Sequence, residues 1–256
     1  MKDFLFKSPT KVKFGAGISF QLYEIFEEMG AKKPFFVTGK HVGKTDEFAK
    51  IIASLEEKGY SVQLFTDTQP DPPIDVCDAA AQVLKDSGCD VCVAVGGGSV
   101  IDTAKAMCML VTNEGSVKEY LFGGSKTVEN PSLPLIAVPT TAGSGSEVSA
   151  ASVITDEEND IKLSVSHEYL MPKFAIIDPL QQLHMPAFIT ATTGMDALTH
   201  AIESYVSLNA NPFSDAYGEM AIRLIGENIR TAVHDPLNLE AREKMAVAST
   251  LAGTAF

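Results

Sequence analysis

Val95-Gly96-Gly97-Gly98-Ser99-Val100-Ile101-Asp102-Thr103-Ala104-Lys105 is the stretch that decides the fold. The apolar run Val91-Cys92-Val93-Ala94-Val95 leads into three glycines, and Ser99 follows where the N-cap of a helix is expected. Glycine lets a backbone come within hydrogen-bonding distance of a ligand. The free N–H groups and dipole of a helix start then favour an anion such as a pyrophosphate. The spacing matches neither the Walker loop nor the usual dinucleotide fingerprint. A tight strand-to-helix turn with no ligand would use the same residues, so the flanking sequence has to decide.

Outward from this loop, short apolar runs alternate with amphipathic stretches. Strands are predicted at Lys11–Phe14, Pro34–Thr38, 61–65, 91–95, 135–138 and Phe174–Ile177, and helices at 19–29, 47–58, Ile74–Ser87 and 99–111. Repeated strand–helix–strand order predicts an α/β fold, a Rossmann-like parallel sheet with helices on both faces, over residues 1–180. Ligands of such sheets sit at the carboxyl ends of the strands. Past Asp178-Pro179-Leu180 the pattern changes. From Pro186 onward it is helical throughout, so residues 181–256 are read as the start of an all-helical domain. The apolar ending Leu251-Ala252-Gly253-Thr254-Ala255-Phe256 is expected to continue in a longer protein.

A second cluster follows the strand at 135–138, namely Val138-Pro139-Thr140-Thr141-Ala142-Gly143-Ser144-Gly145-Ser146-Glu147-Val148. Hydroxyls supply orientable hydrogen bonds, and small residues let a flat ring approach the backbone. A solvated loop would look similar. Its position after a buried strand, like that of the glycine loop, points to one shared crevice.

In the helical part, Gly194-Met195-Asp196-Ala197-Leu198-Thr199-His200 places Asp196 and His200 four apart, on one helix face. A carboxylate and an imidazole on adjacent turns suit a divalent ion such as Fe²⁺ or Zn²⁺. Alone, such a pair is more often an ordinary helix-surface contact. His41, His167, His184 and His234 show no ligand spacing.

Composition narrows the function class. Acidic residues outnumber basic ones 33 to 20, giving −13. That balance argues against nucleic acid or an anionic membrane as partner. Neither a signal-peptide core at Met1-Lys2-Asp3-Phe4-Leu5-Phe6 nor a run near the ~20 apolar residues of a membrane helix is found. Four cysteines are too few for a disulfide framework, and Cys89 and Cys92, three apart on an expected strand, face opposite sides and cannot share an ion. Buried thiols and a cytoplasmic protein are expected.

Taken together, these motifs resemble the iron-containing (group III) alcohol dehydrogenase family. The resemblance rests on Gly96-Gly97-Gly98-Ser99 with Asp102, Pro139 to Glu147, Ile177-Asp178-Pro179 and Gly194 to Glu203, in the family's order, with Ser8-Pro9-Thr10-Lys11-Val12-Lys13-Phe14-Gly15 similar to its first strand. It implies a dehydroquinate synthase-like fold and hydride transfer between NAD(P) and small alcohols, aldehydes or ketones. It also implies that Gly97, Gly98 and Ser99 take the pyrophosphate, while Thr140, Thr141 and Ser144 line the adenine and nicotinamide crevice. Lys162 would contact the ribose, and Leu180 would lie near the cofactor. Asp196 and His200 would be the first two metal ligands. No side chain is assigned a catalytic proton transfer. Members are often dimers or larger, and a homo-oligomer is expected.

Two departures qualify this. Two further histidine ligands of the family lie outside the sequence, so this segment is expected to be inactive by itself. Many members also carry an aspartate after the second strand, where Gly39 stands in Val37-Thr38-Gly39-Lys40-His41. Without that carboxylate, and with Lys40, His41 and Lys44 nearby, NADP(H) is expected to be tolerated, with the balance leaning towards it. Alternative readings are a polyol dehydrogenase of the same fold and a non-catalytic nucleotide-binding or assembly module.

Overall fold

The computed structural model describes residues 3–256, so Met1 and Lys2 of the leader reading lie outside the described residues. Its strands are β1 (Lys11–Phe14), β2 (Pro34–Thr38), β3 (Gln63–Phe65), β4 (Val91–Gly96), β5 (Leu135–Pro139), β6 (Ala151–Asp156), β7 (Ile161–Ser166) and β8 (Phe174–Ile177). Its helices are α1 (Leu22–Met29), α2 (Asp46–Glu57), α3 (Ile74–Ser87), α4 (Gly98–Thr112), α5 (Ala187–Val206), α6 (Pro212–His234) and α7 (Leu239–Ala255).

Six strands form one parallel sheet in the order β1-β8-β5-β4-β2-β3. In β4 every residue is buried, and successive side chains go to opposite faces. Cys92 and Ala94 pack with Leu84 and Cys77 of α3 and Ala104 and Met107 of α4. Val91, Val93 and Val95 pack with Phe26 of α1 and Ile51 and Leu55 of α2. A strand apolar on both sides is what a sheet covered on both faces requires, so the parallel-sheet expectation holds.

The chain runs from β2 outward to β3, then returns to place β4 on the other side of β2. The crevice of this fold class therefore opens between the carboxyl ends of β2 and β4, where the winding direction switches. Gly39 follows β2 and Gly97 follows β4, so both loops singled out in the sequence stand at that point.

Three features differ from the expectations. β6 and β7 form an antiparallel hairpin apart from the main sheet. Its signal was present in Ile161-Lys162-Leu163-Ser164-Val165-Ser166, which alternates apolar and polar residues after a turn at Asn159-Asp160, where Asp160 has φ 52. β3 is shorter than the 61–65 run, and Leu64 at this sheet edge is half exposed. The helix after β4 begins at Gly98 with Gly97 as N-cap and no side-chain cap, so Ser99 is not the cap. Its Oγ instead accepts a hydrogen bond from the Asp71 N–H at 3.3 Å.

After β8 the chain is helical, as expected. Gly194 allows α5 to seat against α6 and α7, since a Cβ there would come 2.8 Å from Ile229 Cδ1 and 3.0 Å from Met245 Cε. Arg242 on α7 is fully buried and holds the domain's entry, donating to Met185 O, Thr190 Oγ1 and Pro236 O. No helix among the described residues is long and apolar enough to cross a membrane.

Candidate functional site

A cleft of about 890 Å³ runs from the β2–β4 switch point to α5. Of the residues singled out in the sequence, Gly39, Lys40, Gly97, Gly98, Ser99, Asp102, Thr141, Ser144, Lys162, Asp196 and His200 line it. One wall is the start of α4. The β5 loop closes over it so tightly that a Cβ on Gly98 would lie 2.7 Å from Ser144 Oγ, and one on Gly97 3.2 Å from Thr141 Cγ2. This cradle leaves backbone N–H groups exposed to the cleft at a helix N-terminus, which fits a pyrophosphate.

Gly96, Thr140 and Leu180 do not line the cleft. A Cβ on Gly96 would strike Val100 Cγ2 at 2.5 Å, so this glycine makes room for the helix. The Thr140 N–H donates to Gly96 O at 3.0 Å and fixes the register of the two loops. Leu180 packs towards Gly17. Its N–H donates to Asp178, a fully buried carboxylate that also accepts from Gly17 N–H and Ser19 N–H. The Ile177-Asp178-Pro179 motif is therefore scaffold joining β8 to the start of α1.

Asp102 is at the cleft but turned into its wall. Its Oδ1 accepts from Ser146 Oγ at 2.8 Å and its Oδ2 from Val153 N–H at 3.1 Å. One turn along α4, the fully buried Lys105 donates to Ser149 O at 2.9 Å and Ala151 O at 2.7 Å. Burial pulls the Lys105 ammonium down to about 8, against the pull of Asp102 and Glu147. Burial likewise raises Asp102 and Glu147 above the ordinary carboxylate range. Glu147 accepts from Thr250 Oγ1 of α7 at 2.9 Å, tying the β5 loop to the helical domain.

Lys162 of β7 reaches the cleft and pairs with Asp71 Oδ1 at 2.6 Å. Asp71 has φ 49, a left-handed backbone that costs a non-glycine residue energy. Thr155 N–H donates to Pro72 O at 2.9 Å, so hairpin and loop are fastened side by side. Sequence reasoning missed Thr68 and Gln69 of this loop, Ser149 and Val153 near the hairpin, and Gly253 of α7, all of which line the cleft. Thr68 and Gln69 follow the expected strand β3, Ser149 and Val153 lie just before and within the unrecognised β6, and Gly253 is on a helix not expected to reach the sheet.

On α5, Ile189, Thr193, Asp196 and His200 fall at helical spacing on one face and point into the cleft. His200 Nε2 lies 3.8 Å from Asp196 Oδ1. His200 Nδ1 is buried without a partner, and the ring lies 4.8 Å from that of Phe256. The two side chains suit a shared cation. Among the described residues no third His, Cys, Asp or Glu joins them, so the donors present amount to half of a tetrahedral set.

The Lys40 charge on which the NADP(H) expectation relied is not free, since its Nζ lies 3.0 Å from Asp67 Oδ1. Cys77, Cys92 and Cys108 are buried free thiols, and Cys89, just ahead of β4, is half-buried. Burial raises the thiol of Cys77 to about 12, which makes it an inert core residue.

Comparison with known proteins agrees with this layout. Residues 9–179 match the model of the iron-containing alcohol dehydrogenases, and residues 190–256 that of the family's C-terminal part. The chain is 41% identical over 249 residues to long-chain-alcohol dehydrogenase 1 of Geobacillus thermodenitrificans, covering 97% of this chain and 62% of that protein. It is 39% identical to the NAD-dependent methanol dehydrogenase of Bacillus methanolicus, covering 97% and 65%. Sulfoacetaldehyde reductase from Bifidobacterium kashiwanohense, solved with NAD⁺, superposes with a TM-score of 0.94 at 35% identity, covering all of this chain and 67% of that one. The chain thus spans just under two thirds of these curated relatives. On the family match and the fold together, this chain belongs to the iron-containing alcohol dehydrogenases.

Proposed function

We propose that this chain carries the cofactor platform of an NAD(P)-dependent oxidoreductase that interconverts small alcohols with aldehydes or ketones. The observation that carries the proposal is a single cleft joining the glycine cradle at the α4 start to Asp196 and His200 of α5. In this reading the N–H groups of Gly98 and Ser99 hold the pyrophosphate, Thr141 and Ser144 line the nicotinamide end, and Lys162 meets the ribose. When bound, nicotinamide supplies the hydride donor or acceptor, and iron supplies a Lewis acid. The chain's own work is to hold the ring against the β5 loop, exclude water with Val153 and Ile189, and offer Asp196 and His200 to the ion. Zinc would accept the same donors. With two donors alone, the chain is proposed to bind dinucleotide and not to turn over.

The setting proposed is cytoplasmic, in keeping with free thiols, and the assembly a homodimer or larger. A small alcohol or aldehyde is the proposed partner, with no nucleic acid. The test is a protein extending through the rest of the family's length, purified anaerobically, loaded with iron and assayed on butanal and propanal with NADH and NADPH. Aldehyde-dependent oxidation of either cofactor is expected. No turnover after iron and zinc loading would refute the dehydrogenase reading. The two-donor count favours one second reading, a non-catalytic nucleotide-binding module, which predicts dinucleotide binding without turnover at any length.

A further inference from the structure

The turn after β2 has a glycine where its geometry does not require one. Gly39 lies outside the left-handed region, and a Cβ there would meet Thr68 Oγ1 at 3.6 Å and Val100 Cγ2 at 3.9 Å, ordinary contact distances. An acidic side chain would therefore fit, yet none is present. A carboxylate on another loop stands beside this turn, outside the cleft lining. The backbone of Asp67 forms an isolated antiparallel bridge with Gly39, and its Oδ1 lies 3.0 Å from Lys40 Nζ. Thr68 Oγ1 donates to Thr38 O at 3.0 Å, which fastens the loop after β3 to the end of β2. Gly39, Lys40, Thr68 and Gln69 then form one rim of the cleft.

We propose that Asp67 neutralises the charge that Lys40 presents beside position 39, and that the Lys40–Asp67 pair sets the choice between NAD(H) and NADP(H). The proposal rests on the dinucleotide reading above. In dinucleotide-binding sheets the group after the second strand meets the adenosine ribose, where a carboxylate accepts from the 2′-hydroxyl and a free cation attracts a 2′-phosphate. Lys40 alone would draw in the phosphate. Paired with Asp67, the rim has no net charge, and a dianion brought to Lys40 also approaches a carboxylate. Lys162, the other lysine lining the cleft, is engaged by Asp71. The chain therefore favours NAD(H), the reverse of what Gly39 and Lys40 suggest when read without the fold.

Calorimetric titration of this chain with ADP-ribose and with 2′-phospho-ADP-ribose tests the pair without metal or turnover. Wild type is expected to bind ADP-ribose more tightly. Asp67→Asn should tighten 2′-phospho-ADP-ribose about five-fold, the effect of one unit charge about 4 Å away across water, and leave ADP-ribose nearly unchanged. Lys40→Met should weaken the phosphorylated probe by a similar factor, and the double variant should return close to wild type. These differences should shrink when salt is raised, since both side chains are exposed. A wild type that prefers the phosphorylated probe, or an Asp67→Asn variant whose preference is unmoved, overturns the proposal. Loss of both probes in Asp67→Asn also overturns it, because the residue then only holds the loop. A wild type that binds neither probe overturns the dinucleotide reading itself.

Discussion

Helix α7 crosses the β5 loop at a glycine–glycine contact, and Gly253→Ala tests how firmly helix and loop are fitted there. A Cβ on Gly253 would lie 2.6 Å from Gly145 Cα, 3.0 Å from its O and 3.2 Å from its C. All three are backbone atoms, so no side-chain rotation relieves the clash. Gly145 has φ +63, so the loop is already in a conformation with little freedom to adjust. Bringing the closest contact to an ordinary van der Waals distance needs a separation of about 1 Å. One turn earlier on the same helix, Thr250 Oγ1 donates to Glu147 Oε1 at 2.9 Å, and Glu147 is 2% exposed. A shift of about 1 Å carried to that bond takes it beyond hydrogen-bonding range.

Overpacking alone costs about 1–3 kcal/mol, and a buried acceptor left without its donor adds about 1–3 kcal/mol. Gly253→Ala should therefore lose about 2–6 kcal/mol in urea unfolding, a large share of the stability of an ordinary domain. Thr250→Val should lose only the second part. Because both substitutions break the same contact, the double variant should lose less than their sum. A Gly253→Ala variant within about 0.5 kcal/mol of wild type, or losses that add fully, would refute the close fit of α7 on the β5 loop.

Three further outcomes follow from the buried charges and the half-built cation pair. Lys105 in the unfolded chain keeps its proton to the ordinary lysine value of 10.5 but releases it near 8 in the fold. Between those values the unfolded state binds more protons, so this residue makes stability rise with pH. The wild-type advantage over Lys105→Met should grow by about 3 kcal/mol across that window, and an advantage that stays flat would show that Lys105 titrates normally. Arg242→Met leaves Met185 O, Thr190 Oγ1 and Pro236 O without their donor, and should cost about 3 kcal/mol or more in thermal unfolding. Finally, after dialysis against zinc or ferrous ion this chain should retain well under one equivalent, since Asp196 and His200 stand without a third donor among the described residues. One firmly held equivalent that disappears in both Asp196→Ala and His200→Ala would mean the site is complete here.

The parallel sheet was legible because β4 is apolar at every position, and only a strand covered on both faces has that composition. The cradle was legible because consecutive glycines between a buried strand and a helix start mark a close backbone approach, and the β5 loop does come within 2.7 Å of a Cβ placed on Gly98. The β6–β7 hairpin was passed over although its alternation is plain, since the surrounding α/β rhythm suggested loop between β5 and β8. The partner of Lys40 stayed hidden for a different reason. Asp67 is far along the chain, and nothing short of the β2–β3 pairing shows that the two loops share a rim.

Asp102 shows the limit most clearly. Its place beside the glycine cradle made it a candidate cofactor contact, and it does border the cleft. Yet α4 is buried from Val100 through Leu110, so this helix has no solvent face on which a polar residue could be idle. A carboxylate and an ammonium at such positions must find partners inside the protein. They find them one turn apart, Asp102 on Ser146 and Val153, Lys105 on Ser149 and Ala151. Between them they fix the segment that forms the cleft wall opposite the β2 turn. The spacing of Asp102 and Lys105 was visible in the sequence, but their task was not, because it depends on which segment folds over the helix. Asp102→Ala should therefore act through the wall: with no acceptor left, it would free the Val153 N–H and the Ser146 hydroxyl and loosen dinucleotide binding without removing any direct contact. An Asp102→Ala variant that keeps the wild-type hydrogen-exchange protection at Val153 while losing ADP-ribose would show instead that Asp102 touches the ligand itself.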